Sequence, residues 1–185
     1  MRILRLFFLY TTLLLTTSIA MARTIDPGTF SVSGGIGPTI RYGSLLDAGR
    51  AYFLIQTQGE YSFSSQYSAV TDLSLGFGSS YPVRFHIGGR YRLTDFDLPI
   101  YPYAQLQFSL GKLFNVLGAN LTFVGARVGA GADYFLTKNI GVGGIATLDL
   151  GSTTGIRPAF YGVTDILIYA TYTFDRPPLS PAVLR

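Results

Sequence analysis

The chain has 185 residues, enough for one domain, and contains no cysteine, so its fold has no disulfide to stabilise it. Only 13% of its residues are charged and 48% are hydrophobic, whereas a soluble domain usually has about a quarter of its residues charged. It contains two lysines and one glutamate. This composition argues against a large water-facing surface.

The first 22 residues have the three parts of a secretory signal peptide. A basic start, MRILR, precedes the apolar run LFFLYTTLLLTTSIA, and residues 20–22 (AMA) form a small-residue cleavage pattern. The mature chain would begin at Arg23. Loss of Arg2 and Arg5 reduces the 14 basic residues to 12 against 10 acidic ones, so the net charge falls from +4 to +2. We expect an exported protein without a nucleic-acid partner; an uncleaved membrane anchor is the alternative.

Eight segments of alternating polar and apolar residues follow, separated by turn residues. Alternation with period two predicts β-strands, because successive strand side chains point to opposite faces. No sustained helical periodicity appears after residue 23. In chain order the predicted strands span residues 29–40, 51–63, 66–78, 83–93, 100–110, 120–135, 140–150 and 163–174.

The fourth segment shows the clearest difference between an apolar face and a charged face. Val83, Phe85 and Ile87 lie on one face, while the other face carries three arginines and the only histidine. The same separation holds in the other segments. The charged strand residues that share the polar face are Glu60, Asp72, Arg84, His86, Arg90, Arg92, Arg127, Asp133, Asp149 and Asp165.

Two architectures accept such strands: a soluble barrel or sandwich with apolar residues inside, and a membrane barrel with apolar residues outside. The segments have the roughly nine to eleven residues that cross a bilayer at a tilt, and the polar face is poor in Lys and Glu. Aromatic residues at the strand ends resemble the girdles of membrane barrels. They are Phe30, Phe63, Tyr67, Tyr91, Tyr134 and Phe174 at one set of ends, with Phe53 and Phe77 at the other.

The sequence therefore predicts an all-β protein, an eight-stranded antiparallel up-and-down transmembrane β-barrel over residues 23–174, after the signal peptide (residues 1–22). An even strand number places both termini on one side, which we expect to be the periplasm. Residues 175–185 would form a Pro-rich periplasmic tail. The predicted external loops are residues 41–50, 79–82, 111–119 and 151–162.

Two stretches carry a resemblance to a known family. VGARVGAGADYFLTKNIGVGGIATLDLG (residues 124–151) and the last strand, ILIYATYTF, are similar to the small eight-stranded outer-membrane β-barrels of the OmpA-like and OmpX-like group. The resemblance implies a bacterial outer-membrane location and insertion by the barrel-assembly machinery. It also implies an assembly signal in Ile166, Ile168, Tyr172 and Phe174. The chain departs from the pattern because eleven residues follow Phe174.

An eight-stranded barrel is only just wide enough for its own side chains. Charges enclosed there need partners, because an unpaired buried charge is costly. We therefore expect an Arg–carboxylate network that fills the lumen. Which arginine meets which acid depends on strand register, which the sequence leaves open.

Function is less determined than fold. We expect a non-enzymatic outer-membrane protein, a monomer, with a structural role or with contacts through loops such as residues 113–118. The alternatives are a narrow porin-like channel, a lipid-modifying barrel enzyme and a soluble periplasmic ligand-binding barrel. His86 shares the arginine face, which disfavours a catalytic base, and arginines near Asp72, Asp133 and Asp149 would compete with a metal. We therefore expect no catalytic residue, metal or cofactor.

Overall fold

A computed structural model describes residues 25–43, 51–78, 81–94, 100–116, 119–154 and 158–174. The predicted signal peptide and Pro-rich tail, and the central parts of the predicted external loops, lie outside the described residues. Within those ranges no helix is long and apolar enough to span a membrane.

The chain forms eight antiparallel strands, each paired with its neighbours in sequence, and β8 pairs with β1 to close a barrel. Phe30 at the start of β1 pairs with Phe174 at the end of β8. Both ends of the barrel chain therefore lie at one end, here called the terminal end; the other is called the distal end. The strands are β1 (Phe30–Gly43), β2 (Ala51–Ser62), β3 (Tyr67–Phe77), β4 (Tyr81–Arg92), β5 (Ile100–Val116), β6 (Ala119–Phe135), β7 (Ile140–Thr154) and β8 (Phe160–Phe174).

The apolar face of the sheet points outward. On β4, Arg84 and His86 are fully buried, whereas Phe85 next to them is 43% exposed. The other strands repeat this pattern, with large apolar side chains outside and polar ones inside. A closed sheet with this polarity satisfies its backbone groups internally and presents hydrocarbon to its surroundings, as a membrane requires. The predicted fold, a transmembrane β-barrel, is confirmed.

The strands are longer at the distal end than predicted. Residues 111–119 and 151–162 were expected to be loops, but β5 continues to Val116, β6 begins at Ala119, β7 continues to Thr154 and β8 begins at Phe160. Gly111 resembles a strand break in the sequence, yet it is an inward position. A Cβ there would lie 2.2 Å from the ring of Phe123, so the glycine makes room for that ring. The extra length carries Lys112, an outward charge 5.2 Å from the Phe114 ring centroid.

The predicted loops at residues 41–50 and 79–82 are also partly strand, because β1 continues to Gly43 and β4 begins at Tyr81. The ladder that closes the barrel is interrupted near its middle. Two positions of β1, Gly37 and Pro38, have no paired residue on β8, although the register is the same on both sides of them. Pro38 lies in this gap, and proline has no N–H to donate.

Candidate functional site

Charged side chains fill the lumen. Among the described residues, all five buried arginines and five buried acids face inward: Arg41, Arg84, Arg90, Arg92, Arg127, Glu60, Asp72, Asp133, Asp149 and Asp165. Arg41 was missed in the sequence because the first predicted strand ended at residue 40. The alternation that places Thr39 inside continues to Arg41, and this was the signal that could have found it.

Two arginines and three aspartates form the middle of the network, here called the middle cluster: Arg84, Arg127, Asp72, Asp149 and Asp165. Nη2 of Arg84 donates to both carboxylate oxygens of Asp165 at 2.9 and 3.0 Å. Arg127 donates to Asp165 Oδ2 at 3.0 Å and to Asp72 Oδ1 at 3.1 Å. These side chains are 0% exposed. The cluster therefore joins β3, β4, β6, β7 and β8 around the barrel.

His86 lies between two carboxylates of the middle cluster. Its Nδ1 is 2.6 Å from Asp72 Oδ1, and its Nε2 is 3.2 Å from Asp149 Oδ2. The ring is fully buried. Ser109 Oγ donates to the same Asp149 oxygen at 2.9 Å, but it reaches the carboxylate and not the imidazole. The histidine is therefore part of the buried hydrogen-bond network around the middle cluster.

A second group of charges, here called the terminal cluster, lies closer to the terminal end: Glu60, Asp133, Arg90 and Arg92. Arg90 Nη1 and Arg92 Nη2 both donate to Glu60 Oε2, at 2.9 and 2.6 Å. Arg92 Nε lies 3.3 Å from Asp133 Oδ2, and Ser68 donates to Glu60. The guanidinium of Arg90 is also 3.9 Å from the Tyr103 ring centroid. The ten charged residues predicted from sequence are thus the nine of these two clusters and His86.

Apolar side chains also face the lumen, which the sequence interpretation did not anticipate. One group consists of Leu113, Phe123, Tyr161 and Val163, with Leu121 packed against it. The other consists of Tyr52, Leu54, Tyr103, Ile145 and Leu167, with Tyr169. Leu113 belongs to the stretch expected to touch a partner or lipid, yet it is fully buried. For Leu113 that expectation is wrong, because it occupies an inward strand position.

Glycines on β6 and β7 make room for inward tyrosines. Tyr103 pairs with Gly131 and Tyr169 pairs with Gly143 across adjacent strands. A Cβ at either glycine would lie 2.4–2.7 Å from ring atoms of the tyrosine and from backbone oxygens. The two tyrosine hydroxyls are 2.7 Å apart, and Tyr169 donates to Asp133 at 2.5 Å. The Gly-rich sequence of residues 128–132 and 142–146 thus lets the two tyrosines lie against the inner wall over the neighbouring strands.

Several buried polar atoms have no hydrogen-bond partner among the described residues. They are Nε and Nη1 of Arg84, Nε of Arg127, Oδ1 of Asp149 and the hydroxyls of Tyr52 and Tyr161. Buried polar atoms in proteins are almost always satisfied, and ordered water commonly does so where no side chain reaches. Ordered water at these atoms would satisfy the remaining hydrogen-bonding groups of the described lumen.

The aromatic residues predicted as girdles all point outward. Phe30 stacks on Phe174 with centroids 5.9 Å apart, and Tyr67 lies 5.0 Å from Tyr91. Phe53 pairs with Phe77 near the distal end, where Tyr81 and Phe160 are exposed as well. Phe63 is also exposed, and Tyr134 is half-buried. The residues of the predicted assembly signal, Ile166, Ile168, Tyr172 and Phe174, form the outward row of β8.

The lumen has the chemistry of a packed salt-bridge network. Each carboxylate of the two clusters faces at least one arginine, which occupies oxygens that a cation would need. In the described ranges no group of His, Asp or Glu has the arrangement of a metal site. The arrangement ties strands together and fills space.

No protein-family model matches the chain, and no curated protein sequence matches it. Solved structures do. Neisserial surface protein A is 17% identical, with a TM-score of 0.65 over 78% of this chain and 97% of its own. OprG from Pseudomonas aeruginosa is 13% identical, with a TM-score of 0.56 over 82% and 98%.

Ail, the attachment invasion locus protein of Yersinia pestis, is 14% identical, with a TM-score of 0.52 over 80% of this chain and 99% of its own. These solved structures include outer-membrane proteins, and each is matched over almost its whole length. The chain therefore has the fold of the small eight-stranded outer-membrane β-barrels.

Proposed function

We propose that this chain is a non-enzymatic integral protein of the bacterial outer membrane, whose filled barrel serves membrane structure or surface contacts. Its outward apolar face and its fold, which outer-membrane proteins share, support the location. With the terminal end in the periplasm, the distal ends of the strands face the exterior.

The observation that carries the proposal is the occupied lumen. The side chains of the middle cluster and His86 are 0% exposed. Two lumen cavities lined by described residues have volumes of about 10 Å³ each, which is roughly the space for one water molecule. Salt bridges that cross the barrel would have to break before a solute could pass. The geometry favours a plug.

The distal end supports a role in surface contacts. β5 ends two residues beyond Phe114, its last pair with β4, and β6 begins three residues before Thr122, its first pair with β7. The β5–β6 hairpin therefore extends beyond the paired parts of its neighbours. Two proteins of the same fold are named for such roles, one as a surface protein and one as an attachment and invasion protein. An extended hairpin on a rigid barrel suits a contact with another surface.

Single-channel conductance of the refolded mature protein in a planar bilayer tests the plug. We expect no steady open state. A charge-neutral variant that combines Glu60→Ser, Arg92→Ser, Asp72→Ser and Arg127→Ser removes one acid and one arginine from each cluster, so it should conduct. Folding of both proteins is checked by the heat-dependent shift in gel mobility. Steady conductance by the unmodified protein would contradict the plug.

A narrow channel is the second candidate, and the buried polar atoms without partners favour it. Water bound at Arg84, Asp149, Tyr52 and Tyr161 would wet one section of the lumen. In that case the unmodified protein would conduct steadily, and Arg84→Gln would change its ion selectivity.

The absence of catalysis is part of the proposal. His86 is enclosed by carboxylates and does not reach the outer surface. A lipid-hydrolysis assay comparing the unmodified protein with His86→Ala tests this. Hydrolysis that disappears in the variant would overturn it.

A further inference from the structure

The outer wall has an open groove of about 740 Å³ near the terminal end. It crosses the outward face from β5 to β1. Its floor is formed by small outward residues, Gly34 and Ala170. They pair in register across the seam, which is the contact between β1 and β8 that closes the barrel. Larger side chains border it: Ile36, Ile100, Tyr134, Val142 and Ile168.

The groove is a consequence of the sequence. Gly34 is exposed, and a Cβ added there would meet no heavy atom within 4 Å. Ile36 and Ile168 form the next outward pair along the seam and are 46% and 68% exposed. A row of small residues beside a row of large ones leaves a groove in the outer wall. Its surface is mainly apolar, and the acid in its lining, Asp133, is buried and paired with Arg92 in the lumen.

The position of the groove defines what fills it. It lies within the apolar outer face, between the Phe30–Phe174 pair and the middle of the barrel, so hydrocarbon chains are its surroundings. The β6–β7 turn is at the terminal end of the same wall and carries exposed Lys138. Lys138 is four residues from both Tyr134 and Val142, about 13 Å along an extended strand. That separation is less along the membrane normal, because the strands tilt.

We propose that this groove is a binding site for one anionic phospholipid of the leaflet at the terminal end. An acyl chain lies in the groove, and the phosphate lies beside Lys138. The concave floor gives the chain more van der Waals contacts than a smooth wall does. The lysine adds attraction to a negative headgroup. The proposal rests on the membrane location proposed above.

A second groove provides an internal contrast. It has a volume of about 480 Å³ and is lined by Gly89, Ala104 and Leu106 on β4 and β5. Arg90 also lines it, but this arginine is buried and paired with Glu60 in the terminal cluster. The described residues at the terminal ends of β4 and β5 carry no exposed basic side chain, so we expect no anionic preference there.

The test is native mass spectrometry of the full mature protein released from nanodiscs. These contain equal amounts of phosphatidylglycerol and phosphatidylcholine with the same acyl chains. We expect the unmodified protein to retain one phosphatidylglycerol molecule in preference to phosphatidylcholine. Gly34→Leu fills the groove and should reduce retention at least fivefold. Lys138→Gln should abolish the preference between the lipids. Gly89→Leu is the matched control and should retain lipid like the unmodified protein.

The outcomes separate the alternatives. Undiminished retention by Gly34→Leu overturns the proposal, as does loss of retention in Gly89→Leu alone. A dimer that Gly34→Leu converts to monomer would make the groove an interface between copies, which also overturns it. If Gly34→Leu does not fold, Lys138→Gln decides, because the turn lies outside the wall. A protein that does not insert into nanodiscs would instead contradict the membrane location.

Discussion

Arg84 on β4 and Asp165 on β8 join opposite walls of the barrel. Nη2 of the arginine lies 2.9 and 3.0 Å from the two carboxylate oxygens. In a ring of eight strands, β4 and β8 are four strands apart in either direction. This contact therefore spans the width of the lumen, and both side chains are fully buried.

Removing the carboxylate should be strongly destabilising. Asp165→Ala leaves Arg84 without its hydrogen-bonded acid and takes one of two acids from Arg127. Breaking a buried pair in this way typically costs about 3–5 kcal/mol. The measurement is urea unfolding of the protein refolded in lipid vesicles. Asp26→Ala, at an exposed position, should change the free energy of unfolding by less than about 0.5 kcal/mol. Equal effects of the two substitutions would contradict the network.

The glycine positions give a matched pair of alanine substitutions. Gly143→Ala places a Cβ 2.4 Å from the Tyr169 ring and 2.6 Å from the Ala132 carbonyl oxygen. Such overpacking costs about 1–3 kcal/mol. Gly34→Ala enters open space and should be close to neutral. Urea midpoints in the same vesicles measure both. Similar destabilisation by the two substitutions would contradict the role of Gly143 as room for the tyrosine.

The predicted assembly signal can be separated from general aromatic packing. Phe174→Ala changes the last outward residue of β8, whereas Phe160→Ala changes an equally exposed phenylalanine at the other end of the strand. If the assembly machinery recognises the end of the strand, Phe174→Ala should reduce the folded fraction in outer membranes severalfold. Phe160→Ala should leave it nearly unchanged. The folded fraction is measured by gel mobility with and without heating. A lower folded fraction in both variants would attribute the effect to the aromatic girdles and not to the assembly signal.

The position at which the signal peptide is cleaved is a separate prediction. Cleavage after Ala22 should give a protein that begins at Arg23, which intact-mass spectrometry of the membrane fraction measures directly. Ala22→Leu blocks the small-residue position and should leave the precursor mass. A mature mass that includes residues 1–22 would support the uncleaved anchor instead.

The alternation of polar and apolar residues predicted much of the fold because it is a local property of each segment. His86 and Arg84 were placed on one face from their own segment, and all ten predicted network residues are buried. Their partners are not local. Arg84 meets Asp165, 81 residues away, and this pairing depends on the stagger of all the strands between them. No single segment contains that information.

The inward apolar groups were missed for a different reason. The alternation predicts a polar lumen and so gives no reason to place large apolar residues there. Strand parity nevertheless puts Leu54, Phe123 and Leu167 inside. In a barrel this narrow, side-chain volume matters as much as polarity. The strand extensions at Gly111 were missed because a glycine that accommodates a ring looks in sequence like a turn.

The gap in the ladder at Pro38 has a consequence for how the cylinder closes. The paired residues of the first and last strands form two runs in the same register, one from Phe30–Phe174 to Ile36–Ile168 and one from Thr39–Asp165 to Gly43–Tyr161. The second begins at a side-chain clasp, since Thr39 Oγ1 donates to Asp165 at 2.8 Å. Amide hydrogen exchange should therefore be fastest, along the seam, on either side of the proline.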